Sequence, residues 1–533
     1  TADGMVEKYI HGETISTDST IYIGGVAGYA EELHLDRVTV NSSVWGDNYV
    51  GGIVGQGTGI SMKGVDLSSS NVDGYQYVGG VAGRLEKSYF GSNTFASSFS
   101  GKVCSAEEFK TSSKYVGGFA GYVDKCGFKG ITVSCSVYGK EFVGGFAGND
   151  YGSGYDGCTF KGVEVKATSN VGGIMGRYNS GDSTVTNLTN HGKIVGTACT
   201  AGITGEIMNI GMSNCTNNGR VEGGQDTGGI VGRIDNNDGS GDITFSYCTN
   251  NGYVTANKRC LGGIAGYVES GKDDSETVIF SHCKNTASVR GIGSGSGDRD
   301  GMGGIVGEGM YSIVIKYCSN TGEIKGDTGF HHIGGLAGYL GRNSYGFDNY
   351  IKIYQSYNKG WVGVTGVSGS VYVGGIAGHL EDGDGSSKNV QIEDCFNHGR
   401  IYAKCEDEHP YRAGGIVGKA SYYLSVYNCY TGKGRVSSMY TDANYRSAGI
   451  AGCHATGETL FYSSYIGNLY TGEGTAWTDW WSDSNVAYLE TWSSFFQYDK
   501  RSEKSSYPDY DFDSIWDVDP GKNDGYPYLR NNP

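Results

Sequence analysis

The sequence predicts an all-β fold: a single-stranded parallel β-helix, or β-solenoid, of about fourteen coils, expected to be right-handed and closed at its C-terminal side by an aromatic cap. Three observations lead there. A glycine-paired motif recurs fourteen times along the chain. Its shortest spacing suits one coil of stacked strands, and the residues between copies align in columns.

The motif has the form V-G-G-[IVFL]-[AV]-G. Its cleanest copies are VGGIVG from Val50, VGGVAG from Val78, VGGFAG from Val116 and Val143, VGGIMG from Val171 and VGGIAG from Val373. Variants start at Ile23, Thr200, Thr227, Leu261, Met302, Ile333, Ala413 and Ser447. Successive glycine pairs are 27, 28, 38, 27, 28, 29, 27, 34, 41, 31, 40, 40 and 34 residues apart. A floor near 27 residues accommodates three short strands and three turns, whereas a four-stranded propeller blade needs about 40–50. Longer steps read as polar, glycine-rich insertions at one corner, such as SGKDDSE after Glu269 and EDGDGSS after Leu380. In V-G-G-I the two large apolar residues are three apart, so strict alternation would send them to opposite faces. Either the glycine pair turns a corner or makes a bulge that resets the phase, or both faces are covered.

Composition agrees. Of 533 residues 93 are Gly and only 5 Pro, against about 7% Gly in ordinary proteins. Collagen would need abundant proline, and 38% hydrophobic with 12% aromatic residues is too much buriable surface for a disordered chain. The net charge of −16 and the lack of a Lys/Arg run argue against nucleic acid and anionic bilayers as partners. No stretch approaches the about 18–20 apolar residues of a membrane-spanning helix. The opening TADGMVEKYI lacks a charged-then-apolar leader, a start compatible with a mature secreted chain.

Between the glycine pairs runs a second element in two dialects. Early copies read LDRVTV (Leu35–Val40), MKGVDL (Met62–Leu67), FKGITV (Phe128–Val133) and FKGVEV (Phe160–Val165). From the sixth repeat the form is C-x-N-x-G, which places Asn190, Asn217, Asn250, Asn285, Asn320, Asn358 and Asn397 in one column. Amides stacked about 4.8 Å apart can bond one above another, a structural ladder rather than a binding code. Cys215, Cys248, Cys283, Cys318, Cys395 and Cys429 share a column with Leu188 and Ser356, and Cys126 and Cys158 align with Ile60 and Leu33. A slot shared by Cys, Leu, Ile and Ser is a small inward-facing core position. Cys104, Cys135, Cys199, Cys260, Cys405 and Cys453 lie off these columns and are free to pair.

This repeat resembles the GLUG-motif family of bacterial surface and secreted proteins over about residues 20–455, and DFDSIWDVDPGKNDGYPYL (Asp511–Leu529) looks like the closing segment that often follows such repeats. The resemblance implies an extracellular module, secreted or attached to the cell surface, used for adhesion or display. Three regions follow: residues 1–20 as an N-terminal partial coil, 21–455 as the repeats, and 456–533 as a Trp/Tyr-rich capping module. Aromatics in that module are expected to cover the open end of the core. A sharper reading makes Trp477, Trp480 and Trp481 a carbohydrate platform.

Chemistry is otherwise sparse. The ten histidines are scattered, and His331 and His332 would point to opposite faces of a strand. No cofactor is expected apart from Ca²⁺, for which Asp517, Asp519 and Asn523 form the preferred candidate among several acidic loops. β-Helix polysaccharide lyases and hydrolases use paired carboxylates or basic columns on one face. Here the carboxylates fall in different insertions, so no catalytic residue is assigned. The expectation is an adhesin-like solenoid about 65–70 Å long that meets a host or environmental glycan or protein through loops at 88–112, 269–276, 292–301, 341–350, 381–388 and 404–412. A structural subunit, self-associating through its ends or sides into a filament or surface layer, is the alternative. A polysaccharide-active enzyme comes third.

Overall fold

The computed structural model describes residues 10–11, 21–36, 39–40, 43–63, 65, 67, 71–91, 99–179, 183–237, 241–271, 276–293, 300–327, 329–341, 350–367, 370–381, 390–405, 411–421, 424–432, 436–438, 446–448, 451–454, 459–462, 465–466, 502, 504–507 and 510–532. It is a parallel β-solenoid. The chain forms two compact units, Thr1–Asp235 with Cys248–Val254, and Asn236–Tyr247 with Thr255–Pro533.

The coil that starts at Glu141 shows the plan. Its strands are Glu141–Gly144, Ala147–Tyr151, Gly154–Asp156, Thr159–Phe160 and Glu164–Lys166. Each pairs in parallel with its counterpart one coil on, as Val143 with Val171, Ala147 with Met175 and Thr159 with Thr189. Five short strands replace the three expected. Left-handed residues break the path at Phe142 (φ 56), Gly152 (φ 68), Gly157 (φ 70) and Asn170 (φ 52). Each such corner costs a non-glycine residue about 1–2 kcal/mol, offset by the ladder bonds on either side.

The glycine pair is a corner too. The first strand stops at Gly144, Gly145 and Phe146 form a bend, and the next strand starts at Ala147. Val143 and Phe146 therefore both point inward and are fully buried, which settles the phase question. A Cβ on Gly145 would sit 2.2 Å from the Gly173 carbonyl oxygen and 2.5 Å from the Phe160 ring. One coil on, a Cβ on Gly173 would lie 2.6 Å from the Asn190 amide carbon. Phe160 and Asn190 are register partners, so the two dialects fill a single slot beneath the second glycine.

The asparagine ladder is real, and it is closed on itself. Asn190 Nδ2 donates to Asn217 Oδ1 (2.8 Å) and to its own Gly192 carbonyl (3.0 Å), while Asn190 Oδ1 accepts from Gly192 N (3.0 Å). Asn217 donates onward to Asn250 at 2.9 Å. In the second unit Asn285, Asn320, Asn358 and Asn397 continue the pattern with amide–amide contacts of 2.7, 2.8 and 2.8 Å. All seven side chains are at most 1% exposed, and buried amides persist only when so paired.

None of the twelve cysteines whose side chains are described forms a disulfide, Cys104, Cys135, Cys199 and Cys260 among them. Those in the main column donate to main-chain carbonyls, as Cys318 Sγ to Lys316 O at 3.2 Å. Ser356 occupies the same column and accepts from Cys318 N at 3.0 Å. Cys158 belongs to this column, one coil before Leu188, because Thr159 pairs with Thr189. Cys126 lies in another, beside Ser153, whose hydroxyl accepts from Cys126 N. The two were expected to align; a corner at Gly157 separates their strands.

Residues outside the described set intervene mainly at two corners, not one. Segments 180–182, 272–275, 342–349 and 382–389 follow the strand after the glycine pair, whereas 294–299, 368–369 and 406–410 precede the pair. In coils without such a segment left-handed residues mark both places, as at Lys125 and Gly152 after the strand and at Phe142 and Asn170 before the pair, so extra chain there leaves the ladders intact.

In the second unit the C-terminal segment packs along the flank of the coils. Tyr507, Tyr510, Trp516, Tyr526 and Leu529 bury against Tyr357, Phe396 and Tyr430. Trp516 Nε1 donates to Asp394 Oδ1 (3.1 Å), Tyr430 OH to Pro527 O (2.5 Å), and Asn532 Nδ2 to Cys318 O (2.9 Å). The outward column that holds Thr132, Thr159, Thr189, Thr216 and Thr249 in the first unit is aromatic at Tyr357, Phe396 and Tyr430, which stack at 4.8 and 5.2 Å. The segment docks on that aromatic strip.

Candidate ligand-binding groove

The strongest candidate surface lies on the first unit, along the column that contains Gly154–Asp156. Register aligns Tyr89, Gly127 and Gly154 as its first residues, Phe90, Phe128 and Tyr155 as its middle ones, and Gly91, Lys129 and Asp156 as its last. The middle residues point inward and stack, Phe90 on Phe128 at 5.4 Å and Phe128 on Tyr155 at 5.0 Å. The outer first position therefore has a ring followed by two bare rungs. This leaves an open groove of about 440 Å³ lined by Tyr89, Gly127, Lys129, Gly154, Asp156 and Thr184 among others.

Tyr89 is 72% exposed. Its ring leans over Gly127, where a Cβ would come within 2.6 Å of it, so the glycine is what lets the ring lie down. The polar rim is built from the last column. Lys129 Nζ is 3.6 Å from Asp156 Oδ2, and Asn187 Nδ2 donates to Asp156 Oδ1 at 2.7 Å. The lysine and aspartate are 75% and 43% exposed, so the pair is weak and open to exchange for a ligand's hydroxyls.

Behind the floor is a buried carboxyl. Asp150 accepts from Tyr155 OH (2.5 Å) and from Ser153 N (3.0 Å), and Tyr178 OH donates to the Ser153 carbonyl at 2.8 Å. Burial pushes the Asp150 carboxyl up to about 7, its hydrogen bonds opposing that rise. Burial also pushes the Tyr155 phenol well up, with the adjacent carboxylate adding to it. The network fixes the Tyr155 ring and with it the groove floor. Aromatic platform, bare floor and exchangeable polar rim suit the binding of a flat, hydroxyl-rich molecule.

A second aromatic feature has a different role. Tyr49, Tyr77, Tyr115 and Phe142 stack at 4.6, 4.8 and 5.0 Å with rings within 8° of parallel. Each face is covered by its neighbour, and burial with the adjacent phenols raises the Tyr77 pKa. Only edges face outward, so this ladder braces a left-handed corner.

The residues expected from sequence fare unevenly. Trp477, Trp480 and Trp481 lie outside the described residues, as does half or more of each loop named as a contact face except 88–112, of which only 92–98 is left out. Asp517 Oδ2 accepts from Tyr528 OH (3.1 Å) and Oδ1 lies 3.6 Å from Arg530, Asp519 accepts from Gly521 N (2.8 Å), and Asn523 donates to Tyr430 OH (3.0 Å) and Pro527 O (2.8 Å). The three are thus directed to separate partners. Among the described residues no group of three or more His, Cys, Asp or Glu is placed to hold a metal ion, and no helix is long and apolar enough to cross a membrane. Sequence reading missed Gly127 and Asp156, and it placed Tyr89 only as one member of the 88–112 contact loop. Lys129 and Asp156 do sit in matching FKG and YDG triplets, but the 38-residue step from Gly79 to Gly117 hides the alignment of Tyr89.

No protein family's sequence profile matches the chain, and neither does any curated protein. A crystal structure from Bacteroides ovatus, provisionally described as an immunoglobulin A1 protease, aligns with it at 16% identity over 75% of this chain and 87% of that one, with a TM-score of 0.27. A similarity so slight transfers nothing to this chain.

Proposed function

We propose that this protein is an exported, adhesin-like β-solenoid whose task is binding, and that it takes a sugar residue of a host or environmental glycan in the groove beside Tyr89. One observation carries the reading: a tyrosine ring kept 72% exposed over a glycine floor, next to a rim of exchangeable polar groups. An apolar ring face with hydrogen-bonding groups at its border matches a pyranose, which has an apolar C–H face and an equatorial belt of hydroxyls. The resemblance of the glycine-paired repeats to GLUG motifs of surface and secreted proteins supports export and display.

A glycan array probed with the full chain tests this. Tyr89→Ala removes the platform, and Gly127→Val places a side chain where the ring now rests. Each is expected to weaken the best glycan about tenfold or more, the worth of one lost hot-spot contact, with unchanged far-UV circular dichroism. Full affinity in both variants would sink the assignment.

A further inference from the structure

The second unit carries a row of ring edges between two lysines. Ser246, Ser281 and Lys316 are register partners, and the residues after them, Tyr247, His282 and Tyr317, all turn left-handed at φ 54, 56 and 55. Their rings stack, Tyr247 on His282 at 4.7 Å and His282 on Tyr317 at 4.8 Å. Tyr247 is 56% exposed, Lys284 is exposed and Lys316 half-buried. Ser281 Oγ lies 2.9 Å from His282 Nδ1, which leaves Nε2 for another partner.

Charge sets this corner apart. Both lysines, after burial, act to lower the His282 pKa, so they converge on the ring. Neither forms an ion pair with any described residue, whereas in the first unit Lys114 pairs with Glu141 (2.8 Å) and Lys193 with Glu222 (2.9 Å). On a chain of net charge −16, an unneutralised strip of this kind is where an anion can approach.

The stacking decides what sort of anion. Ring faces within the row are taken by neighbours, and Tyr354 packs on Tyr317 at 5.9 Å at one end, so nucleobases have no gap to enter within the row. Outward go phenol hydroxyls and an imidazole edge, with two ammonium groups alongside. This is a donor-rich line repeating every 4.7–4.8 Å, suited to a polymer that presents acceptors along its length.

We propose that the Tyr247–His282–Tyr317 corner binds an anionic polysaccharide, a carboxylate- or sulfate-bearing chain whose charged groups sit on Lys284 and Lys316. This site is separate from the Tyr89 groove and does not depend on it.

The test presents the full chain, in buffer of about 50 mM salt, to immobilised polygalacturonate, heparin, dextran and poly(U). Binding to one or both anionic glycans, with none to dextran and less to poly(U), is expected. Lys284→Gln/Lys316→Gln should lose that binding about tenfold or more, while Lys102→Gln/Lys161→Gln, which changes net charge equally elsewhere, keeps it. Melting curves confirm that each variant is folded. A preference for polygalacturonate identifies carboxylate as the recognised group, and one for heparin identifies sulfate. Dextran bound as well as the polyanions, poly(U) bound best, wild-type affinity in the first double variant, or no binding to either anionic glycan would each overturn the proposal.

Discussion

Replacing Asn217 by alanine tests the internal ladder at its most connected rung. The side chain makes four hydrogen bonds: to Gly219 O (2.9 Å) and Asn250 Oδ1 (2.9 Å) as donor, and from Gly219 N (3.1 Å) and Asn190 Nδ2 (2.8 Å) as acceptor. At about 1 kcal/mol net for each, Asn217→Ala should cost about 4 kcal/mol. Asn190→Ala removes three such bonds, since Phe160 lies on its other side, and should cost about 3 kcal/mol. Urea unfolding followed by circular dichroism measures the total. Amide exchange at Gly219, whose N–H loses its acceptor, reports the local part. Asn217→Asp should be worse than alanine at neutral pH, because it buries a carboxylate opposite the Asn250 oxygen. A loss under about 1 kcal/mol in Asn217→Ala, with Gly219 exchange unchanged, would refute the view that the amides hold the coils together.

Three further outcomes are expected. Asp150 is pushed up to about 7 when folded against about 4 unfolded, so the folded state binds more protons between those values. Stability should therefore fall as pH rises from about 4 to about 7, by roughly 3–4 kcal/mol in all, and Asp150→Asn should flatten that part of a stability–pH curve from chemical denaturation. Trp516→Ala deletes a fully buried indole and its bond to Asp394; residues 504–532 should become open to limited proteolysis, at a cost of about 3–5 kcal/mol to their docking, while the coils keep their far-UV signal. Thr204 is buried between Met175 and Val231 and its hydroxyl has no partner, so Thr204→Val should raise the unfolding free energy by about 1 kcal/mol.

The architecture was legible because its constraint repeats. A second glycine in each pair has no room for a side chain, and Phe160, Asn190 and Asn217 fill the slot below it whichever dialect is used, so the coil count and the ladder could be read from spacing alone. Strand number could not. Corners are occupied by residues as unlike as Phe142, Asn170, Cys199 and Asp226, which carry no common turn signature. The groove was hidden for a related reason: two of the three residues in its outer column, Gly127 and Gly154, are glycines, in a chain where glycine is everywhere. Flank docking depends on Trp516 meeting Asp394, 122 positions away. The change from threonine to Tyr357, Phe396 and Tyr430 is its only trace within the repeats.

Those mixed corners have a consequence for how such a protein can change. Backbone torsions near φ 50 recur at equivalent points, among them Tyr77, Phe142, Asn170 and Cys199, which are half-buried, while Val78, Val143, Val171 and Thr200 just after them stay fully buried. Side-chain identity at the bend is thus uncoupled from the interior. Substitutions accumulating there can rewrite what the outside displays, one rung at a time, without renegotiating how the rungs stack.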